Sequence, residues 1–115
     1  MQFVFESQDP QARGLRQLAE QRLRFVMRRA VSLLPRAKVQ MSDLNGPRGG
    51  IDKRCRLELT PERGGPIVVI STAQDWRRAL EDALARGSRA LVRRWQRNRH
   101  VGRKNAAFDA DTAAR

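Results

Sequence analysis

Arg78, Arg86, Arg89, Arg93 and Arg97 recur through one stretch of the chain. At about 100° per residue they fall within about 100° of arc on a single helix. The chemistry open to such a row is ionic. A guanidinium is planar, permanently charged, and presents paired N–H donors that match two oxygens of a phosphate. At about 1.5 Å per residue the row is roughly 28 Å long, enough to follow several successive phosphates of a nucleic acid. Residues 74–104 hold ten Lys and Arg against three Asp and Glu, so acids are too few to neutralise it. Asp82 stands inside the row and can pair with Arg78 or Arg86 at i±4, for about 0.2–0.5 kcal/mol. A solvated helix face is the plain alternative for any such run of charge. A second basic group is Lys53, Arg54 and Arg56. In strand register Arg54 and Arg56 share a wet face with Glu58, while Cys55, Leu57 and Leu59 share the buried one.

Other chemistry does not assemble, and an enzyme, a metal site or a cofactor is not expected. His100 is the only histidine and lies in a basic segment. Cys55, the single cysteine, points inward from a strand, which suits a small buried hydrophobe better than a nucleophile. Metal-ligand spacing is missing. Gly49-Gly50 is followed by Ile51, so the glycine-rich loop carries neither the GK[ST] of a phosphate-binding loop nor the GGQ of peptide-release proteins.

The elements that must position these residues follow from periodicity. Gln2 to Ser7 alternates and reads as a strand. Asp9 and Pro10 then supply an N-cap and a first helical residue. From there to about Leu33, residues Ala12, Leu15, Ala19, Leu23, Val26, Ala30 and Leu34 trace one face of a long amphipathic helix, opposite Arg13, Arg24 and Arg28 and ended by Pro35. Strands are expected over 38–44, 53–60 and 66–72. Asn45 to Gly50 is a hairpin connection, either purely structural or a contact loop, and Gly64-Gly65 marks the last turn. Near Gln74 the period returns to helical, and Trp76, Leu80, Ala83, Gly87 and Leu91 line one side of a helix running to about Arg97. Gly87 costs roughly 1 kcal/mol there against alanine, which suggests a close crossing. Trp76 reads as core, while Trp95 can either cap the core edge or stack on a base.

The order is βαβββα, an α+β fold. It predicts a four-stranded mixed sheet, with a parallel right-handed crossover between the first two strands and two helices packed on one face. Residues 1–104 form one domain, and the alanine- and aspartate-rich 105–115 form a disordered tail. The chain has 115 residues and a formal net charge of +12, mostly from arginine. That balance favours RNA over an anionic membrane. With one cysteine, no apolar run of about 20 residues and no signal-peptide pattern in MQFVFESQDP, a cytoplasmic location is expected.

With this order and the arginine-rich last helix, the chain resembles the ribosome hibernation-promoting factors, also described as ribosome-associated inhibitor or sigma-54 modulation proteins. The resemblance covers about residues 1–97. The segment DLNGPRGGIDKRC is similar to one in a branch of that family. The family tends to open its last helix with AID, followed by K, R, L and K at set spacings. This chain has Ala79, Leu80 and Glu81, then Arg86, Arg89, Leu91 and Arg93. The resemblance implies a factor that occupies the messenger and transfer RNA channel of the small ribosomal subunit and silences idle ribosomes. Arg86, Arg89 and Arg93 would then touch the 16S-type RNA, with Lys53, Arg54 and Arg56 as weaker contacts, and no small-molecule substrate. Two features depart from the family. Gly87 stands where the family usually has a large apolar residue, and the dimerisation domain of the long forms is absent, so ribosome pairing by this protein alone is not expected; the chain itself is expected to be a monomer. The same element order also resembles a double-stranded RNA-binding domain with an added strand, which makes a general RNA-binding module the alternative. Modulation of transcription is a third reading.

Overall fold

The computed structural model describes residues 1–44 and 53–108, with 98–108 described by backbone alone. Strand β1 (Gln2–Ser7) lies parallel to β2 (Arg36–Asp43), in register from Gln2↔Arg36 to Ser7↔Met41. A parallel pair needs a crossover, and the intervening helices supply it. β2 pairs antiparallel with β3 (Lys53–Thr60) from Asp43↔Lys53 to Arg36↔Thr60, and β3 pairs antiparallel with β4 (Ile67–Ala73). The four strands stand in chain order. The expected mixed sheet is therefore present, with strand bounds shifted by at most two residues. The Asn45–Gly50 connection lies outside the described residues.

Strict alternation sorts the sheet into two faces. Ala37, Val39 and Met41 of β2, Cys55, Leu57 and Leu59 of β3, and Ile67, Val69, Ser71 and Ala73 of β4 are buried. They pack with Ala19, Leu23 and Met27 from the first helical segment and with Trp76, Leu80, Ala83, Leu84 and Leu91 from the last. Each fully buried leucine contributes about 1.5–3 kcal/mol, and Leu23, Leu34, Leu57, Leu59, Leu80 and Leu84 are all in that class.

The first helical segment is broken rather than continuous to Leu33. Helix α1 (Pro10–Arg13) starts as expected, with Pro10 at its first position and the Asp9 carboxylate accepting the Gln11 N–H at 2.9 Å. It ends at Gly14, whose missing side chain lowers helix propensity by about 1 kcal/mol. Helix α2 (Arg16–Val26) then begins at Leu15 without a side-chain cap. It stops where the Phe25 carbonyl accepts both the Arg28 backbone N–H at 3.3 Å and the Arg28 guanidinium at 2.8 Å. A single 3₁₀ turn (Val31–Leu33) leads into β2.

Helix α3 (Trp76–Phe108) runs well past Arg97, since 98–108 contains no proline to stop it. The tail expected from 105 thus overlaps the helix at 105–108, and 109–115 lie outside the described residues. The close approach read from Gly87 is real, and its partner is chiefly a strand. A Cβ at Gly87 would meet Leu57 Cδ2 at 2.5 Å, Leu59 Cδ1 at 3.4 Å and Met27 Cε at 3.6 Å. Gly64, at φ +83°, turns the chain between β3 and β4. Arg94 of α3 hooks that turn by donating to the Gly65 carbonyl at 2.6 Å.

Candidate nucleic-acid interface

Helix α3 is set by its first turn. The Asp75 carboxylate accepts the Arg78 N–H at 2.7 Å, and the Trp76 indole is buried beneath Lys53 Nζ, 5.5 Å from the ring centre. With the apolar side fixed on β3 and β4, the phase of the helix dictates the rest. Arg78, Arg89, Arg93 and Arg97 are all exposed. None of the four forms an ion pair among the described residues. They form the row that helical spacing predicted, on the flank of α3 nearer the free edge of β4.

Arg86 belongs to that row by angle and differs from it in use. Its Nη1 donates to the Ile70 carbonyl of β4 at 2.9 Å and lies 3.5 Å from Asp82 Oδ2. Asp82 in turn accepts a 2.6 Å hydrogen bond from Ser71 Oγ, the one buried polar side chain of the described core. The Ser71 hydroxyl foremost, helped by the Arg86 guanidinium and the nearby Arg89 charge, holds the Asp82 carboxyl below its ordinary pKa against the opposing desolvation of partial burial. Spacing allowed Asp82 to pair with Arg78 or Arg86; the structure selects Arg86 and adds the contact to β4. Ser71, Asp82, Arg86 and Ile70 therefore make a clamp from helix to strand, and Arg86 has fewer donors left for a phosphate than its neighbours.

The sheet residues are separate from the row. Lys53 pairs with Asp43 at 3.0 Å, both side chains 16% exposed. Arg56 donates to Glu58 Oε1 at 3.2 Å and to Gln40 Oε1 at 3.1 Å. Gln40 itself donates to Glu6 at 2.9 Å, and Lys38 lies 3.6 Å from Glu6. This chain of contacts crosses β1, β2 and β3 on the face away from the helices. Arg54, on the same face, has a buried Nε with no hydrogen-bond partner among the described residues. The eight candidate residues thus divide into a free group (Arg78, Arg89, Arg93, Arg97), a clamp (Arg86) and a sheet group (Lys53, Arg54, Arg56).

Sequence reasoning missed three features. Arg94 is an anchor for the β3–β4 turn, a role that depends on a contact 29 residues away in sequence. Phe25 is 56% exposed, with Arg28 and Arg22 stacked at 4.6 and 5.6 Å from its centre; its place outside the apolar phase of α2 was the available signal. Arg13 and Arg16, read only as polar-face residues or not at all, line a groove with Arg54 at the end of β1 and β2. Trp95 is 48% exposed and lines a shallow groove with Ala30, Leu33, Pro61 and Leu91, at the margin of the core.

Among the described residues no group of three His, Cys, Asp or Glu side chains is placed to hold a metal ion. Burial pushes the Cys55 thiol up to about 12, which leaves little thiolate at neutral pH. Among the described residues no helix is long and apolar enough to cross a membrane. No protein-family model matches the chain, and no curated protein matches it.

Proposed function

We propose that this protein is a ribosome-binding factor that occupies the messenger and transfer RNA channel of the small subunit and silences idle ribosomes in the cytoplasm. The observation that supports it is the row of four exposed arginines on α3 that form no ion pair among the described residues. Arg89, Arg93 and Arg97 stand about 6 Å apart along the helix and Arg78 about 16 Å before them, so the row can reach several phosphates of one backbone over roughly 28 Å. The hibernation-factor resemblance described above gives that RNA an identity. Action is by occupancy, so no reactive group is needed. The outer sheet face favours the same kind of contact. Its residues on β2, β3 and β4 are Arg36, Lys38, Gln40, Ser42, Arg54, Arg56, Glu58, Thr60, Val68, Ile70 and Thr72, without one aromatic side chain on which a base could stack. Backbone and shape recognition is therefore the mode this surface suits, in contrast to sheet-stacking RNA binders.

The same absence of base-stacking groups favours a second reading, a general duplex RNA module. Co-sedimentation with ribosomal subunits over a salt series, with unrelated duplex RNA as competitor, separates the two. Selective binding to the small subunit, weakening with a log–log salt slope of roughly −3 to −4 for four phosphate contacts, is the outcome expected of the first reading. Equal competition by any duplex would establish the second.

A further inference from the structure

We propose that the groove across the ends of β1 and β2 is a phosphate-binding site, distinct from the α3 row. Its walls include Ser7, Arg13, Arg16, Ser42, Arg54 and Arg56. Its carboxylates are already engaged, and by groups other than the arginines it offers. Glu6 is held by Lys38 at 3.6 Å and Gln40 at 2.9 Å, Asp43 by Lys53 at 3.0 Å, and Asp9 caps α1 through the Gln11 N–H. Arg13 and Arg54 have no ion pair among the described residues, and Arg16 has only a loose one to Glu20 at 3.7 Å. Positive charge is left over inside a concavity, where it acts on an anion more strongly than on an open surface.

Two details direct that charge at a ligand. Arg54 lines the groove with its Nε buried and without an acceptor among the described residues, so its terminal nitrogens are the donors within a ligand's reach. Arg13 is oriented by its own Nε, which donates to the Ser7 carbonyl at 3.1 Å and leaves both terminal nitrogens for an anion. Ser7 Oγ accepts the Asp9 N–H at 3.1 Å, so the hydroxyl proton can be donated elsewhere. Forked donors with a hydroxyl beside them suit the several oxygens of a phosphate better than the two of a carboxylate. The phosphate belongs either to an RNA strand, a source that rests on the reading of the preceding subsection, or to a free small molecule. The site itself rests on neither.

The test is a titration of the full ¹⁵N-labelled chain with inorganic pyrophosphate, following the arginine Nε–H resonances. Saturable shifts at Arg13, Arg16 and Arg54, with affinity falling tenfold or more in Arg13→Gln/Arg54→Gln, are the expected result. Arg13→Gln alone, at an exposed position, serves if the double variant loses its folded spectrum. Arg89→Glu/Arg93→Glu, which disables the α3 row, should bind pyrophosphate within twofold of the unaltered chain. Non-saturating shifts shared by all arginines, or equal loss in the α3 variant, would overturn the site while leaving the ribosome experiment to be judged separately. Competition by a short RNA with and without a 5′-phosphate then assigns the source. Equal competition means a backbone phosphate, competition by the phosphorylated RNA alone a terminal one, and none a free small molecule.

Discussion

Gly87 of α3 lies against Leu57 of β3 so closely that the smallest possible side chain would come within 2.5 Å of the leucine's Cδ2. Leu57 is fully buried and cannot swing into solvent. Helix and strand approach each other at this point because one partner has no Cβ.

Gly87→Ala is therefore expected to destabilise even though alanine is the better helix former. The propensity gain of about 1 kcal/mol is opposed by an overpacking cost of about 1–3 kcal/mol, for a net loss of about 1 kcal/mol. Gly87→Leu should lose more than about 3 kcal/mol. Urea unfolding of both variants measures this. An alanine variant more stable than the parent would show that the layers separate easily.

Arg89→Glu/Arg93→Glu should remove small-subunit association while changing stability by less than about 1 kcal/mol, since neither residue forms an ion pair among the described residues and Arg89 acts on the exposed Asp82 carboxylate only through its charge. Arg86→Glu should behave differently. It places a carboxylate beside Asp82 and the Ile70 carbonyl, so it should lower the melting temperature as well as binding. Parallel melting and co-sedimentation distinguish the two classes of arginine.

Acid should weaken the Ser71–Asp82–Arg86 clamp in a defined window. The Asp82 pKa is depressed in the fold from an ordinary value of 3.8, so its contribution is complete above that value and is lost as pH falls through the lower folded pKa. The side chain is 51% exposed, which keeps the effect modest. Between pH 6 and pH 2.5, Asp82→Asn should lose less stability than the unaltered chain. Equal losses would mean that Asp82 titrates alike in the folded and unfolded chain.

Cys55 should resist a water-soluble disulfide reagent at pH 8 in the native protein and react at once in urea. Its thiol is fully buried, and burial pushes its pKa up to about 12. Native labelling at the unfolded rate would place Cys55 outside the core.

Much of this architecture was legible in the chain, for a reason visible residue by residue. Strand β3 is a period-two pattern from Lys53 to Thr60, and its bounds and faces are those the pattern predicts. The α3 row was equally legible, because helical phase alone sets which arginines share a side. The break at Gly14 was harder to read. The apolar phase continues from Ala12 to Ala19 across it, and a period records faces rather than hydrogen-bond continuity. Least legible was the division of labour among the arginines. Arg86 and Arg89 look equivalent on a helix projection, and only the position of the Ile70 carbonyl on another element makes one a clamp and leaves the other exposed. Arg54 and Arg56 share a strand face in the same way, yet only Arg56 finds Glu58 and Gln40.

Strand β4 closes one side of the sheet, with Val68 and Ile70 on its outer face 44% and 45% exposed. An edge with unpaired backbone groups and apolar neighbours is a template on which a second chain can add its own strand, the first step toward aggregation. The guanidinium of Arg86 already occupies the Ile70 carbonyl, and it brings a positive charge that a second copy of this basic chain would have to approach. The clamp between α3 and β4 thereby also acts as a gatekeeper. It sets a positive charge against strand addition by a second copy of a chain whose formal net charge is +12.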